Sequence, residues 1–123
     1  MTPRLRSVLG LAAAVALGAA LSSGWNAWQT SRVAADLAAV ARPGDLKMIS
    51  SVSCGICTQA RHWFQAHRVA FDECFIERDR DCAVLFEATR SPGTPVILAR
   101  GTPVVGFDPV RLRDVLSRSP APR

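Results

Sequence analysis

The stretch Ser53-Cys54-Gly55-Ile56-Cys57 constrains the fold of this chain more than any other. Two thiols stand two residues apart where a short apolar run, Leu46-Lys47-Met48-Ile49, gives way to a helical pattern beginning near Cys57. A strand that runs into a helix through a cysteine pair places the first sulfur at a helix N-terminus. Unpaired backbone N–H groups and the positive end of the helix dipole favour a thiolate there. Cys54 is therefore the expected nucleophile, and Cys57, one turn further in, the expected resolving thiol. Taken alone, the spacing suits a metal clip equally well.

A chain of 123 residues with 49% apolar positions holds one compact domain plus an appendage. The formal charge of +5 comes from basic residues scattered among acids, with no aromatic-interleaved stripe, so nucleic acid is not an expected partner.

The appendage is N-terminal. Arg4 and Arg6 precede an uncharged run from Val8 to about Gly24, followed by Trp25 and Trp28. A basic start, an apolar stretch and interfacial tryptophans predict a membrane anchor over residues 1–28. Ser22 and Gly24 also suit a signal-peptidase site, so cleavage and secretion to the periplasm is the alternative. In both cases the basic end stays inside and the remainder crosses to the extracytoplasmic, periplasmic side of the inner membrane, where disulfides persist. Residues 29–44 read as a helical linker with Val33, Leu37 and Val40 on one face, ending at Pro43-Gly44; a stalk and a helix packed on the domain both fit.

The domain proper spans 45–118, with a tail at 119–123. Leu46 to Ser50 reads as a strand, and Cys57 to His67 as a helix burying Ala60, Phe64 and Trp63. Val69 to Ile76 reads as a second strand. Asp79 or Asp81 caps a helix with Cys82, Leu85, Phe86 and Thr89 on one stripe. Val96 to Ala99 and Pro103 to Val105 flank a turn at 100–102 and predict a hairpin. Asp108-Pro109 opens a last helix with Leu112, Val115 and Leu116 on one face. The order β-α-β-α-β-β-α predicts an α/β domain with a mixed four-stranded sheet and helices on both sides.

This order, the cysteine pair, Thr94-Pro95 thirty-seven residues after Cys57, and Gly106-Phe107-Asp108 after the hairpin together resemble the thioredoxin superfamily, and within it most closely the glutaredoxins. The resemblance covers roughly Leu46 to Ser117. It implies a glutaredoxin-type thioredoxin fold and a redox-active disulfide with no metal or organic cofactor. It also implies a cis-proline at Pro95, so that Thr94 and Pro95 bind substrate beside the sulfurs. Gly106, Phe107 and Asp108 match the place where glutaredoxins hold glutathione, which makes glutathione a candidate co-substrate; an N-cap role for Asp108 and a core role for Phe107 stand beside that reading. The pattern departs from the glutaredoxins at Ser51, where a lysine is common, at Gly55-Ile56 between the cysteines, and at Thr94, where valine is usual.

Cys74 and Cys82 stand at apolar positions, where inert buried thiols and a structural disulfide are both open. His62 and His67 lie five apart, on different faces, and supply no metal set with the cysteine pair. The expected protein is a monomeric, exported thiol-disulfide oxidoreductase acting on protein or small-thiol disulfides. A metal-delivery module using the same thiols and a non-catalytic thioredoxin-like interaction domain are the alternatives.

Overall fold

The computed structural model describes residues 2–120. These fall into two compact units, one ending at Arg32 and the other beginning at Val33. The first is the greater part of helix α1 (Pro3–Val40). Its apolar stretch is long enough to cross a membrane and buries none of its side chains. Trp25 and Trp28 pack with ring centroids 5.4 Å apart, and the Arg32 guanidinium lies 4.7 Å over the Trp28 ring.

The second unit contains strands β1 (Leu46–Ser50), β2 (Asp72–Phe75), β3 (Val96–Ala99) and β4 (Thr102–Val105), with helices α2 (Gly55–Ala66), α3 (Arg80–Thr89) and α4 (Pro109–Arg118). The sheet order is β2-β1-β3-β4. β1 pairs parallel with β2 and antiparallel with β3, and β3 pairs antiparallel with β4. This is the mixed four-stranded sheet that the element order predicts, because α2 carries the chain across to a parallel neighbour while a tight turn can return only an antiparallel one. Arg100 and Gly101 form that turn with φ of 46° and 85°, the left-handed pair that suits a two-residue hairpin.

Strand alternation divides the apolar side chains between two layers. Leu46, Met48, Ile97, Ala99 and Val104 face a core completed by Ala60 and Phe64 of α2 and Leu112 and Leu116 of α4. Ile49 and Val96 face the opposite side, where Cys82, Leu85 and Phe86 of α3 cover them. Cys74 and Cys82 are joined there by a disulfide, with Cα atoms 6.0 Å apart. Closing a ring of that length contributes about 2.5 kcal/mol on the chain-entropy account.

Some boundaries differ from the sequence reading. The linker assigned to 29–44 is divided: Ala34, Leu37 and Ala41 are buried, and Leu37 and Ala41 belong to the main core cluster, so α1 beyond Arg32 is part of the domain. Leu37 is fully buried. Leu37→Ala is therefore expected to destabilise the domain by about 3 kcal/mol, read as a shifted denaturant midpoint, whereas a free stalk would give no shift. The second strand is shorter than 69–76, covering Asp72–Phe75 alone, because Val69 and Phe71 pack into the core from the connection before the ladder begins. At the other end Ser119 caps α4 and its carbonyl accepts from Arg100, so the domain passes 118; of the tail, 121–123 lie outside the described residues.

Candidate active site

Cys54 is the N-cap of α2, with φ −92° and ψ 106°. Its backbone carbonyl accepts from Thr58 N–H, and its sulfur takes the place that a serine or aspartate oxygen usually fills, accepting the Cys57 N–H at 3.1 Å. No acidic residue stands in the first helical turn to oppose an anion. Backbone donor and helix dipole thus both favour negative charge on Cys54 Sγ.

Cys54 and Cys57 form a disulfide, with Cα atoms 5.2 Å apart. The two sulfurs are not equivalent: Cys57 has no solvent exposure, whereas Cys54 is only partly buried. Of the pair, only Cys54 is open to an incoming group. Exposed Val52 and Ile56 flank it in the chain.

The start of β3 meets the pair from across the site. The Thr94–Pro95 bond is cis, and Thr94 C=O lies 3.5 Å from Cys54 Sγ. A disulfide sulfur has no proton, so this is a contact in the oxidised state and a hydrogen bond from Cys54 S–H in the dithiol state. No described residue accepts from Thr94 N–H. Pro95 is buried, and its carbonyl accepts from Gly106 N–H at 2.8 Å. Gly106 has φ 81°, which a glycine adopts without strain.

The folded chain therefore gathers Cys54, Cys57, Thr94, Pro95 and Gly106. Phe107 is turned inward, with its ring 5.4 Å from Trp63 and 5.5 Å from Phe64. Asp108 is exposed and caps α4 through a 3.0 Å bond from Arg111 N–H. The side chains of both follow the core and cap alternatives. His62 is exposed, and His67 packs on Trp63 at 4.6 Å.

Beneath α2 lies a polar network with no mark in the sequence. Glu73 of β2 takes a two-pronged bond from Arg61 (2.7 Å each) and a third from the buried Ser50 hydroxyl at 2.7 Å. Burial pushes the Glu73 carboxyl up, but Arg61 and Ser50 together outweigh it and hold it below the usual carboxylate range. The same carboxylate raises the Arg61 guanidinium. Arg61 stands one turn after Cys57, so the pair ties α2 to the sheet. Residues paired across 12 and 23 positions have no periodicity that a sequence pattern could reveal.

No family model matches the chain, and no curated protein does. Among solved structures, a point mutant of a thioredoxin-like protein shares 21% identity and a TM-score of 0.53, covering 62% of this chain and 99% of its own. A mutated buckwheat glutaredoxin shares 18% identity at a TM-score of 0.48, covering 72% of this chain and 92% of its own. Glutaredoxin C1 from Populus tremula x tremuloides, in its holo form, shares 17% at 0.47, covering 72% and 98%. The domain has a thioredoxin-like fold.

Proposed function

We propose that this protein is a membrane-anchored thiol-disulfide oxidoreductase whose domain works on the extracytoplasmic side. The observation that carries the reading is the partly exposed Cys54 sulfur on the Cys57 N–H at 3.1 Å, opposite Thr94 C=O at 3.5 Å. The helix start favours the thiolate, and the facing backbone offers an extended partner a place to pair beside the sulfur.

Starting from the dithiol, the Cys54 thiolate attacks one sulfur of a substrate disulfide. The Cys54–substrate S–S bond forms, the substrate S–S bond breaks, and its second sulfur leaves as a thiolate that takes up a proton. Cys57 then loses its proton and attacks Cys54 Sγ, releasing the remaining substrate thiol. Two electrons and two protons have passed to the substrate, leaving the Cys54–Cys57 disulfide. Every step is reversible, so the redox partner on the same side of the membrane sets the direction. Thr94 and Pro95 position the partner chain, and Gly106 braces Pro95 through its N–H. No metal or organic cofactor enters these steps, and glutathione is a candidate co-substrate alongside protein disulfides. The exposed apolar part of α1, with Arg4 and Arg6 ahead of it, supports the anchor and its orientation.

Trapping tests the proposal. Cys57→Ala protein expressed in its own compartment is expected to accumulate mixed disulfides through Cys54, seen as reducible adducts on non-reducing gels. The absence of any adduct, together with no reduction of insulin and no exchange with glutathione, would refute the oxidoreductase reading.

A further inference from the structure

Cys74 and Cys82 take no part in these steps, yet the ring that they close contains Glu77. The Glu77 carboxylate reaches the turn ahead of Cys54, where Oε1 accepts from the Ser51 hydroxyl and Oε2 from Val52 N–H at 3.2 Å. Cys54 N–H closes that turn on Ser51 C=O at 3.2 Å, so the segment that Glu77 grips is the one that delivers the nucleophile. The ring itself is pinned to the sheet: Cys74 is in register with Ile49, and Ile76 N–H donates to Ser50 C=O at 3.0 Å. Its far end is fixed where Asp79 caps α3, accepting from Asp81 and Cys82 N–H at 2.9 and 3.3 Å.

We propose that Glu77 is a positioning residue for Cys54 and that the Cys74–Cys82 disulfide holds it in place, so that the second disulfide sets the reactivity of the first pair. This rests on the thiol-exchange reading and adds a supporting element to it. The N-cap conformation of Cys54 brings its sulfur onto the Cys57 N–H. A loosened turn spreads Cys54 over other conformations and lowers the occupancy of that bond, and the thiolate loses stabilisation. The negative charge of Glu77 acts the other way, since a like charge near a thiolate disfavours it. The hydrogen bond from the Ser51 hydroxyl, with smaller help from Val52 N–H and the charge of Arg78, holds the Glu77 carboxyl below its ordinary value.

Substitution separates the two effects. Glu77→Gln keeps an acceptor for Val52 N–H and removes the charge, whereas Glu77→Ala removes both. The readout is the pH dependence of iodoacetamide alkylation at Cys54 in Cys57→Ala protein with Cys74–Cys82 oxidised. The midpoint for Glu77→Ala is expected about half a pH unit above that for Glu77→Gln, or roughly threefold less thiolate on the rising limb. Replacing Cys74 and Cys82 together with alanine should raise the midpoint in the same direction, with Glu77→Ala adding little in that background, because perturbations along one chain of contacts are not additive. Coincident midpoints for the alanine and glutamine variants overturn the proposal, as does full additivity with the cysteine pair. Glu77 is exposed, so the comparison of its two variants decides its positioning role even if the double cysteine variant fails to fold. If the two variants show the midpoint difference while wild-type protein exchanges no disulfide, the oxidoreductase reading is overturned and the role of Glu77 stands.

Discussion

Cys54→Ser is expected to remove disulfide exchange altogether, with the rate falling roughly a thousandfold or more to the uncatalysed level, because loss of a nucleophile leaves only background. A hydroxyl at the same N-cap accepts the Cys57 N–H as well as sulfur does, so α2 and the fold should persist. It is not ionised at neutral pH and cannot form a disulfide. Cys57 cannot take over, having no exposure through which a substrate could reach it. The measurement is exchange with a chromogenic disulfide, alongside circular dichroism to confirm folding. Cys57→Ala should behave differently, retaining the first attack and stalling at the mixed disulfide. Full activity in Cys54→Ser protein would mean that the sulfur roles are assigned wrongly.

The largest effect on stability is expected at the opposite end of the sheet. Arg100 Nη2 pairs with Asp45 Oδ2 at 2.9 Å, with the two side chains 11% and 5% exposed, and Nη1 donates to the carbonyls of Leu116 and Ser119 at 2.8 and 2.5 Å. One guanidinium thereby joins the start of β1, the hairpin and the last turn of α4, while Asp45 also accepts from Arg42 N–H at 2.9 Å. Arg100→Met leaves a buried carboxylate with no counter-charge and only the Arg42 N–H as partner, and takes the donor from two helix-end carbonyls, which should cost about 3–4 kcal/mol. For a domain of this size that lowers Tm by on the order of 15 °C. The pH dependence follows from the sign of the shift. The hydrogen bond from Arg100 holds the Asp45 carboxyl below its ordinary value, so the unfolded chain binds the proton more readily. The stabilisation is complete above the ordinary carboxylate range and is lost as pH falls below about 4 through the folded value. Melting curves of wild type and Arg100→Met should therefore converge on acidification. A constant gap between them would show that the arginine acts through packing and the helix-end carbonyls, without the Asp45 pair.

Much of the domain is legible in the chain because its signals are local. The hairpin, the caps at Asp79 and Asp108, and the stripes of α2, α3 and α4 each depend on residues within a turn or two of one another. The exceptions have one cause. The α1 pattern around Leu37 looks the same whether the helix is a stalk or part of the core; only its place in one cluster with residues of α2, α4 and the sheet decides. Val69 and Phe71 have strand-like character, but core packing claims them before the ladder begins. Phe107 and Asp108 stand where a ligand turn would be, while their side chains are occupied by the aromatic cluster and by the cap of α4.

The same division holds at the cysteine pair. That Cys54 stands where a strand gives way to a helix, and hence that its sulfur meets unpaired N–H groups, follows from chain order and helix geometry alone. Packing between elements supplies the rest: Thr94 C=O 3.5 Å from the sulfur, Glu73 bonded to Arg61 of the same helix, and Glu77 on the turn ahead of Cys54. Those three residues lie between 19 and 40 positions from Cys54 along the chain. Local patterning specifies which elements form, but side chains on different elements meet only once the burial of both sheet faces has fixed how those elements pack.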